Sequence, residues 1–224
     1  MDDQLSILNT SDGSNSLSSI KYNATYHSIH GAIEESMHVF ISAGLYYKVR
    51  QGHTSVKIFE MGFGTGLNAY LTSLACKKHN VKVEYHSIEL HLVQKEIYEQ
   101  LNFHTLIPNS KQEDFLKIHE IEWNKLIEVN PNFSIKKIHA DLNDTILDYN
   151  FDLIFYDAFA PSSQAELWEE NIHNKLYNSL TQKGALVTYC AQGKFKRMLK
   201  GLGYSLDKLP GPGRKHEMTR AIKT

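Results

Sequence analysis

The sequence is poor in cysteine and lacks long apolar runs. Its two cysteines, Cys76 and Cys190, are too few for a disulfide framework, and neither belongs to a metal-binding pair. The first residues are acidic and polar, without the apolar core of a signal peptide, and no later stretch is apolar for long enough to span a bilayer. We therefore expect a cytoplasmic protein in a reducing compartment, without a membrane partner.

Nucleophiles and metal ligands are also missing in recognisable arrangements. No serine or cysteine stands in a nucleophile motif. The chain has 12 histidines, but His27 and His30 have no third ligand at a suitable spacing, so we expect no metal. The remaining composition, 42% hydrophobic and 22% charged, is ordinary for a globular protein, and 224 residues suit one structural domain with a substantial core.

Positive charge is concentrated near the C-terminus. From Lys183 onward there are ten Lys or Arg residues and two acids, a local balance of +8; because the net charge of the whole chain is −1, the rest carries −9. Clustered Lys and Arg are typical of a surface that binds phosphates, although a solvated amphipathic helix and strand edge would have the same composition. The residues that we expect to contact a polyanion are Lys194, Lys196, Arg197, Arg214 and Lys215.

Short β-branched or aromatic runs alternate with helix-length segments over most of the chain. This alternation predicts parallel strands joined by crossover helices, which is an α/β doubly wound sheet. The tight Pro210–Arg214 segment joins the last two runs, so we expect an antiparallel pair of strands at the C-terminal end. The predicted strands are Val56–Phe59, Val83–Ile88, Ser134–His139, Asp152–Tyr156, Ala185–Tyr189, Tyr204–Leu209 and Met218–Ile222.

The N-terminal part has a different pattern. Residues 1–20 are rich in Ser, Asn, Asp and Gly, which predicts an extended or irregular lead-in. Apolar residues then recur at intervals of three and four from Tyr26 to about Leu45, which predicts a helix. We expect one structural domain overall, in which residues 1–50 form an N-terminal cover segment on the α/β part, residues 51–224.

A glycine-rich loop follows the first predicted strand of the sheet and precedes a helix that begins near Leu67. Gly62, Gly64 and Gly66 let the backbone approach a ligand closely, and the start of the helix offers free N–H groups. A dinucleotide site has the spacing G-x-G-x-x-G, whereas this loop reads G-x-G-x-G. The loop therefore predicts a site for a different cofactor.

Three acids complete the predicted cofactor site. Glu60 suits the amino group of a ligand, Glu89 at the end of the second strand suits ribose hydroxyls, and Asp141 after the third suits an adenine edge. Each acid alone also fits a solvated strand end, but the ordered set describes S-adenosylmethionine better than a dinucleotide. The predicted cofactor-binding residues are Glu60, Gly62, Gly64, Thr65, Gly66, Asn68, Glu89, Asp141 and Asp157.

The chemistry is expected where the fourth strand ends in Asp157-Ala-Phe-Ala-Pro161, because open α/β sheets bind ligands beyond the carboxyl ends of their strands. Asp157, the predicted catalytic residue, can accept a proton or hydrogen bond from an amine. Phe159 can stack on a base. A capping aspartate beside core aromatic residues gives the same pattern. The predicted substrate-binding residues are Phe159, Pro161, Tyr189, Tyr26, Arg214 and Lys215, with His27 as a further candidate.

Several linked motifs extend along nearly the whole chain. They are Asp12-Gly-Ser, Tyr26-His-Ser, Gly31-Ala, Glu34-Glu-Ser, Glu60–Asn68, Asp157–Pro161, Leu167-Trp168, Thr188-Tyr189 and Gly211–Met218. Together they resemble the methyltransferase part of the bifunctional MnmC family of tRNA wobble-uridine enzymes.

The resemblance implies a class I, Rossmann-like methyltransferase fold for residues 51–224. It also implies transfer of a methyl group from S-adenosylmethionine to the amine of 5-aminomethyl-2-thiouridine at the wobble position, forming 5-methylaminomethyl-2-thiouridine. The implied partner is the tRNA anticodon arm. The family's flavin-dependent oxidase part has no counterpart in these residues, so we expect no flavin, and separate enzymes would supply the aminomethyl uridine.

Two other functions stay open at this point. An aminopropyltransferase acting on a free polyamine has the same fold and an acidic strand end, but Glu60 and the basic C-terminal segment count against it. A non-catalytic RNA-binding protein on a methyltransferase scaffold is the other alternative. The intact glycine loop and Asp157 count against this second reading.

Overall fold

The structure, a computed structural model, describes residues 3–147, 150–213 and 215–224. These residues form two sheets, with helices on both faces of the larger one. The strands are β1 (Leu5–Asn9), β2 (Asn15–Ser19), β3 (Ala24–Thr25), β4 (Ser55–Met61), β5 (Lys82–Glu89), β6 (Leu126–Asn130), β7 (Phe133–His139), β8 (Phe151–Tyr156), β9 (Leu180–Thr188), β10 (Tyr204–Leu209) and β11 (Met218–Lys223). The helices are α1 (Ala32–Ser36), α2 (Tyr46–Arg50), α3 (Leu67–His79), α4 (Lys95–Tyr98), α5 (Phe103–Leu106), α6 (Gln112–Glu120), α7 (Glu170–Ser179) and α8 (Gly193–Gly201), with a π-helical segment Met37–Leu45 and a 3₁₀ turn Ala165–Trp168.

The larger sheet has the order β10-β11-β9-β8-β4-β5-β7-β6. Strand β4 lies between β5 and β8 and is parallel to both, while β7 and β9 continue the parallel pairing on either side. This confirms the predicted α/β sheet. Because the chain moves outward from β4 first to one side and later to the other, the carboxyl ends of β4 and β8 border a topological switch point, where such sheets bind ligands.

The sheet has antiparallel strands at both edges. Strand β11 pairs antiparallel with β9 and β10, which confirms the predicted terminal pair. At the other edge, β6 pairs antiparallel with β7, and the sequence analysis did not predict this strand. The sequence of β6, Leu-Ile-Glu-Val-Asn, is exposed or half-buried throughout, so it carries little of the apolar pattern that identifies a strand.

Residues 5–25 contain a small antiparallel sheet, so the predicted lead-in is extended for most of its length and not irregular. Strand β1 pairs with β2, and β2 pairs with β3. The polar residues make the turn: Asp12 accepts hydrogen bonds from Thr10 Oγ1 and the Ser14 N–H, and Gly13 has φ of 83°. Asp and Gly at these positions favour the tight turn of a hairpin.

The N-terminal helix begins at Ala32, not at the predicted Tyr26. The Tyr26 N–H donates to the Leu17 carbonyl at 2.8 Å, which keeps Tyr26 extended beside β2. The helix then continues through the π-helical segment to Arg50, beyond the predicted end. It packs on the central sheet, where the rings of Phe40 and Phe155 are 5.2 Å apart. The division into a cover segment and a methyltransferase domain at residue 50 stays a prediction.

Alternate residues of the central strands face two separate layers of core. On β4, Val56 and Ile58 face the layer that contains the N-terminal helix and α3, whereas Phe59 faces the layer that contains α7 and α8. All three side chains are fully buried. Within the described residues, no helix is long and apolar enough to cross a membrane.

Gly44 provides a test of the packing between the N-terminal helix and the sheet. A Cβ atom at this position would lie 2.9 Å from the Phe155 ring and 3.2 Å from Val187. We expect Gly44→Ala to lower the free energy of unfolding, because overpacking costs about 1–3 kcal/mol and exceeds the roughly 1 kcal/mol gained in helix propensity. Urea unfolding measures the difference. Gly201→Ala, where nothing lies within 4 Å, is the control; equal stability of the two variants would contradict this packing.

Candidate active site

A cavity opens beyond the carboxyl ends of β4, β5, β7 and β8. The glycine loop forms its floor, the ends of the strands form one wall, and the N-terminal segment covers it. The structure brings most of the predicted residues together here. Those that line the cavity are Tyr26, Gly62, Gly64, Thr65, Asn68, Glu89, Asp141, Asp157 and Phe159.

The glycine loop has the backbone that its sequence predicts, and α3 starts at Leu67 as expected. Gly64 has φ of 49° and Gly66 has φ of 71°, both in the left-handed region that favours glycine. A Cβ atom on Gly64 would lie 3.0 Å from the Tyr26 ring, and one on Gly66 would lie 2.6 Å from His119 Nε2. The loop therefore requires glycine for close packing as well as for its turn.

Two of the predicted acids lie at the rim of the cavity. Glu89 accepts hydrogen bonds from the N–H groups of Gly64 at 3.0 Å and His91 at 2.8 Å, and burial raises the pKa of this carboxyl. Asp141 accepts from the backbone and side-chain nitrogens of Asn143, so its carboxylate holds the turn after β7. Their placement agrees with the ribose and adenine roles, which stay predictions.

Glu60 lies behind the cavity wall and does not line the cavity. Its side chain is 1% exposed, and Ser87 donates to Oε2 at 2.6 Å, whereas Oε1 has no hydrogen-bond partner among the described residues. Burial raises the pKa of Glu60 to about 8, and the negative charge of Asp157 adds to this effect. An acid in this position is destabilised unless a cation approaches it.

Asp157 follows β8 and is held by the first turn of α3. Asn68 Nδ2 donates to Asp157 Oδ2 at 2.8 Å, while Asn68 Oδ1 is buried without a partner among the described residues. Burial raises the pKa of Asp157 to about 7, and the charge of Glu35 adds to the shift; the hydrogen bond from Asn68 and the charge of Lys215 oppose it. Asp157 thus titrates near neutral pH, as an acid–base group requires.

The polar groups of this cavity fit S-adenosylmethionine. Two acids have raised pKa values: Asp157 lines the cavity and Glu60 lies behind its wall. Glu60 Oε1 and Asn68 Oδ1 are buried without a hydrogen-bond partner among the described residues. The cofactor carries a sulfonium and an ammonium, the kind of charge that stabilises such acids in ionised form. Backbone N–H groups at the start of α3 suit its carboxylate.

A second cavity adjoins the first. Asp157, Phe159 and Tyr26 line both, and Glu35, Tyr189 and Lys215 line only the second. This is where the structure places four predicted substrate residues: Phe159, Tyr189, Tyr26 and Lys215. Pro161 lines neither cavity, and Arg214 lies outside the described residues.

Two residues of the N-terminal segment belong to the site but were not predicted. Tyr22 lines the first cavity, and its ring is 4.8 Å from that of Phe159, which also contacts Tyr26 at 5.0 Å. Glu35 lines the second cavity from α1. Little in the sequence indicated either residue, because neither follows a strand of the central sheet. Only Glu35 belongs to one of the family motifs, Glu34-Glu-Ser.

His27 fixes the glycine loop and has no metal partners. Its Nε2 lies 2.7 Å from Thr65 Oγ1, and burial lowers the pKa of His27 to about 4, so the ring is neutral. In residues 3–147, 150–213 and 215–224, no group of three or more His, Cys, Asp or Glu could hold a metal ion. The absence of metal and flavin from the reaction stays an expectation.

Acids pair with several cations of the basic C-terminal segment. Glu217 pairs with Lys196 at 2.5 Å and with Lys208 at 3.2 Å, and Asp207 pairs with Arg220 at 2.7 Å. Exposed positive charge is concentrated on α8, which follows the carboxyl end of β9. The exposed basic residues of this helix are Lys194, Arg197 and Lys200.

The fold and the site define a Rossmann-like methyltransferase: a switch-point cavity with a glycine loop and acids suited to a cationic nucleoside cofactor. Comparison with known proteins agrees. The chain belongs to the S-adenosyl-L-methionine-dependent methyltransferase family, whose model matches residues 105–224. The predicted fold class, enzyme class and cofactor are thereby confirmed.

The relatives in curated collections are much longer proteins. The chain is 28% identical over 212 residues to the tRNA 5-methylaminomethyl-2-thiouridine biosynthesis bifunctional protein MnmC of Leptospira borgpetersenii, covering 88% of this chain and 32% of the relative. Its identity to the MnmC protein of Cupriavidus metallidurans is 29% over 214 residues, covering 90% and 31%. The chain therefore spans about a third of the length of these relatives.

Solved structures share the architecture. MnmC2 from Aquifex aeolicus superposes with a TM-score of 0.82 and 25% identity, covering 97% of this chain and 70% of that one. Spermidine synthase from Thermotoga maritima has a TM-score of 0.58 with 13% identity, covering 100% and 70%, which is a likeness of fold alone. These comparisons support the predicted resemblance to the MnmC methyltransferase part.

The raised pKa of Glu60 predicts how the stability of the cofactor-free enzyme depends on pH. Glu60 titrates at about 8 in the folded chain and at its ordinary 4.5 when unfolded, so stability falls as pH rises through this window. We expect Glu60→Gln to raise the free energy of unfolding at pH 8 by about 1 kcal/mol or more, so that it unfolds at a higher urea concentration than wild type. The variant should also bind S-adenosylmethionine more weakly.

The control is Glu113→Gln, which changes an exposed acid on α6. Urea unfolding at pH 5 and pH 8, with and without cofactor, separates the two effects. A Glu60→Gln enzyme with wild-type stability at pH 8 and wild-type cofactor affinity would show that this buried acid has no part in the site.

Proposed function

We propose that this chain transfers a methyl group from S-adenosylmethionine to the amine of 5-aminomethyl-2-thiouridine at the wobble position of tRNA. The product would be 5-methylaminomethyl-2-thiouridine, the nucleoside in the names of the MnmC relatives. Other enzymes would supply the aminomethyl group, since the reaction needs a free amine. We expect this transfer to need neither metal nor flavin.

The observation that carries the proposal is the position of Asp157 between the two cavities. Asp157 lines both the predicted cofactor cavity and the cavity of Tyr26, Phe159 and Tyr189. A group in this position can contact an acceptor that enters from the second cavity. Its pKa of about 7 suits exchange of a proton with an amine at neutral pH.

The residues of the site can orient and deprotonate an amine. When bound, the cofactor supplies an electrophilic methyl group, and the loop Gly62–Gly66 and Glu89 would hold its nucleoside. Asp157 accepts a hydrogen bond from the substrate's ammonium and takes up its proton, which leaves a neutral amine with a free lone pair. Asn68 fixes the carboxylate at 2.8 Å, so most of the catalysis is positioning.

The aromatic residues of the second cavity suit a nucleobase. The Phe159 ring is supported by Tyr22 and Tyr26 at 4.8 and 5.0 Å, so its orientation is fixed before a base arrives. Bases of single-stranded loops, such as the anticodon loop, are commonly recognised by stacking on aromatic side chains. The exposed lysines and arginine of α8 would contact phosphates of the anticodon arm.

The comparisons do not favour the two alternative functions. An aminopropyltransferase function is supported only by the likeness of fold to spermidine synthase, at 13% identity. The fixed Asn68–Asp157 pair and the intact glycine loop count against a non-catalytic RNA-binding protein.

The first test is methyl transfer from labelled S-adenosylmethionine to tRNA that carries 5-aminomethyl-2-thiouridine, beside tRNA whose wobble uridine lacks the amine. We expect label in the first tRNA alone, with a rate that rises with pH through about 7 as Asp157 ionises. Asp157→Asn should lower kcat by about 100-fold or more, since it cannot take up the proton.

Asp144→Asn, an exposed position beyond β7, is the matched control and should keep the wild-type rate. Cofactor binding is measured for each variant, so that a lost methyl acceptor site is distinguished from a lost cofactor site. Absence of label in both tRNAs, with cofactor bound, would refute the proposal.

The exposed basic face of α8 predicts salt-dependent affinity for tRNA. Replacing Lys194, Arg197 and Lys200 by Gln should weaken binding at low salt and reduce the slope of log K against log salt by about one per lost phosphate contact. The control replaces Lys77, Lys78 and Lys82, exposed residues at the amino-terminal edge of the sheet. Equal slopes for the two triple variants in filter-binding measurements would exclude α8 from the RNA interface.

A further inference from the structure

Lys215 has an unusual position for a residue of the basic C-terminal segment. Its ammonium forms an ion pair with Glu35 and lies 4.5 Å from the centre of the Tyr189 ring. The Glu35 side chain is only 9% exposed, whereas 41% of the Lys215 side chain is exposed. A lysine from the surface connection between β10 and β11 therefore reaches inward to neutralise a buried acid.

The acid side of this pair is fixed in place. The Ser28 N–H donates to Glu35 Oε2 at 2.8 Å, and the Tyr189 hydroxyl donates to the Ala158 carbonyl at 2.8 Å. The carboxylate and the aromatic ring are thus held by the fold whether or not the lysine is present. The cation is the exchangeable member, because Lys215 lies in the connection between β10 and β11 and its side chain is partly exposed.

The second cavity needs a cation for electrical balance. Glu35 and Asp157 both line it, and Lys215 is the cation on the described part of its wall, since His27 is neutral. The charge of Glu35 also contributes to the raised pKa of Asp157, so the two acids interact electrostatically. Withdrawal of Lys215 would leave a buried carboxylate unpaired, which is strongly unfavourable.

The chemistry of Lys215 matches that of the proposed substrate. A lysine side chain ends in a primary alkylammonium, and so does the aminomethyl group of the uridine. A carboxylate beside an aromatic face binds such a cation by a charge-assisted hydrogen bond and a cation–π contact. A uridine without the amine carries no charge with which to replace the lysine.

We propose that Glu35 and the Tyr189 ring form the subsite that receives the substrate's ammonium, and that Lys215 fills this subsite in the free enzyme and leaves it when the substrate binds. The identity of the amine rests on the proposed function, but exchange of one alkylammonium for another does not. The exchange makes the enzyme selective for uridines that carry the amine. Once displaced, Lys215 can bind a phosphate.

The probe for this subsite is n-butylammonium chloride, titrated by calorimetry into enzyme saturated with S-adenosylhomocysteine, with sodium chloride at equal ionic strength as the reference. Lys215→Met keeps the length of the side chain and removes the internal competitor. We expect this variant to bind the probe about 10-fold more tightly than wild type, because a site blocked in most molecules has a reduced apparent affinity. Lys125→Met removes a lysine from an exposed pair with Glu122 and should bind as wild type does.

Two double variants test the residues of the subsite. Adding Glu35→Gln to Lys215→Met should abolish the gain in affinity, and adding Tyr189→Leu should reduce it. Equal binding by wild type and Lys215→Met, or full binding by the Glu35→Gln double variant, would overturn the proposal. Thermal unfolding and cofactor binding of each variant show whether the fold is intact, and Tyr189→Leu still tests the subsite if Glu35→Gln unfolds.

Methyl transfer gives an independent readout. With anticodon stem-loops that carry the amine, Glu35→Gln should raise KM by about 10-fold with a smaller change in kcat, and Glu35→Asp should restore part of the affinity. If n-butylammonium distinguishes the variants but tRNA is not methylated, the subsite stands and the proposed function fails. If tRNA is methylated but the variants bind the probe equally, the subsite fails and the function stands.

Discussion

Buried negative charge at the carboxyl ends of β4 and β8 is the constraint on which the site depends. Parallel pairing sets Glu60 opposite Phe155 and Met61 opposite Tyr156, so Asp157 must emerge beside Gly62. The Asp157 carbonyl is 3.3 Å from where a Gly62 Cβ would lie, and a larger residue would separate the two strands' ends. The low polarity of this region raises the pKa values of Glu60 and Asp157, so the empty site is a source of instability that a bound cation would offset.

The N-terminal segment completes this site and also stabilises its central loop. His27 shares a hydrogen bond with Thr65, and the Tyr26 ring occupies the space that a side chain at residue 64 would need. Glycine loses more conformational freedom on folding than other residues do, so a loop with three glycines is costly to order. The contacts with the N-terminal segment offset this cost. The segment and the loop are therefore one structural unit, and a change in either is expected to alter cofactor affinity even though the segment lies far from the loop in sequence.

The sequence predicted those parts of the structure that follow from local pattern. Strand ends at one edge of a parallel sheet converge, which is why Glu89, Asp141 and Asp157 were found from their positions alone. Strand alternation puts Glu60 on the same face of β4 as the buried residues Val56 and Ile58, whereas Met61 on the other face lines the cavity. Tyr22 and Glu35 could not be found in this way, because their place in the site depends on how a separate hairpin and helix dock on the sheet, and no local pattern encodes that docking.

Two cavities that share one acid suit a reaction between a cationic donor and a cationic acceptor. Bringing two positive groups together is unfavourable unless negative charge lies near both. Asp157 lines both cavities, and Glu35 also lines the second one. The same acids would be unbalanced whenever the acceptor is absent. An internal lysine paired with Glu35 solves this problem, because it supplies the missing charge in the free enzyme and can be replaced by a ligand of like chemistry. The charge of the acceptor, in addition to the shape of its base, would then decide whether it replaces Lys215 in the second cavity.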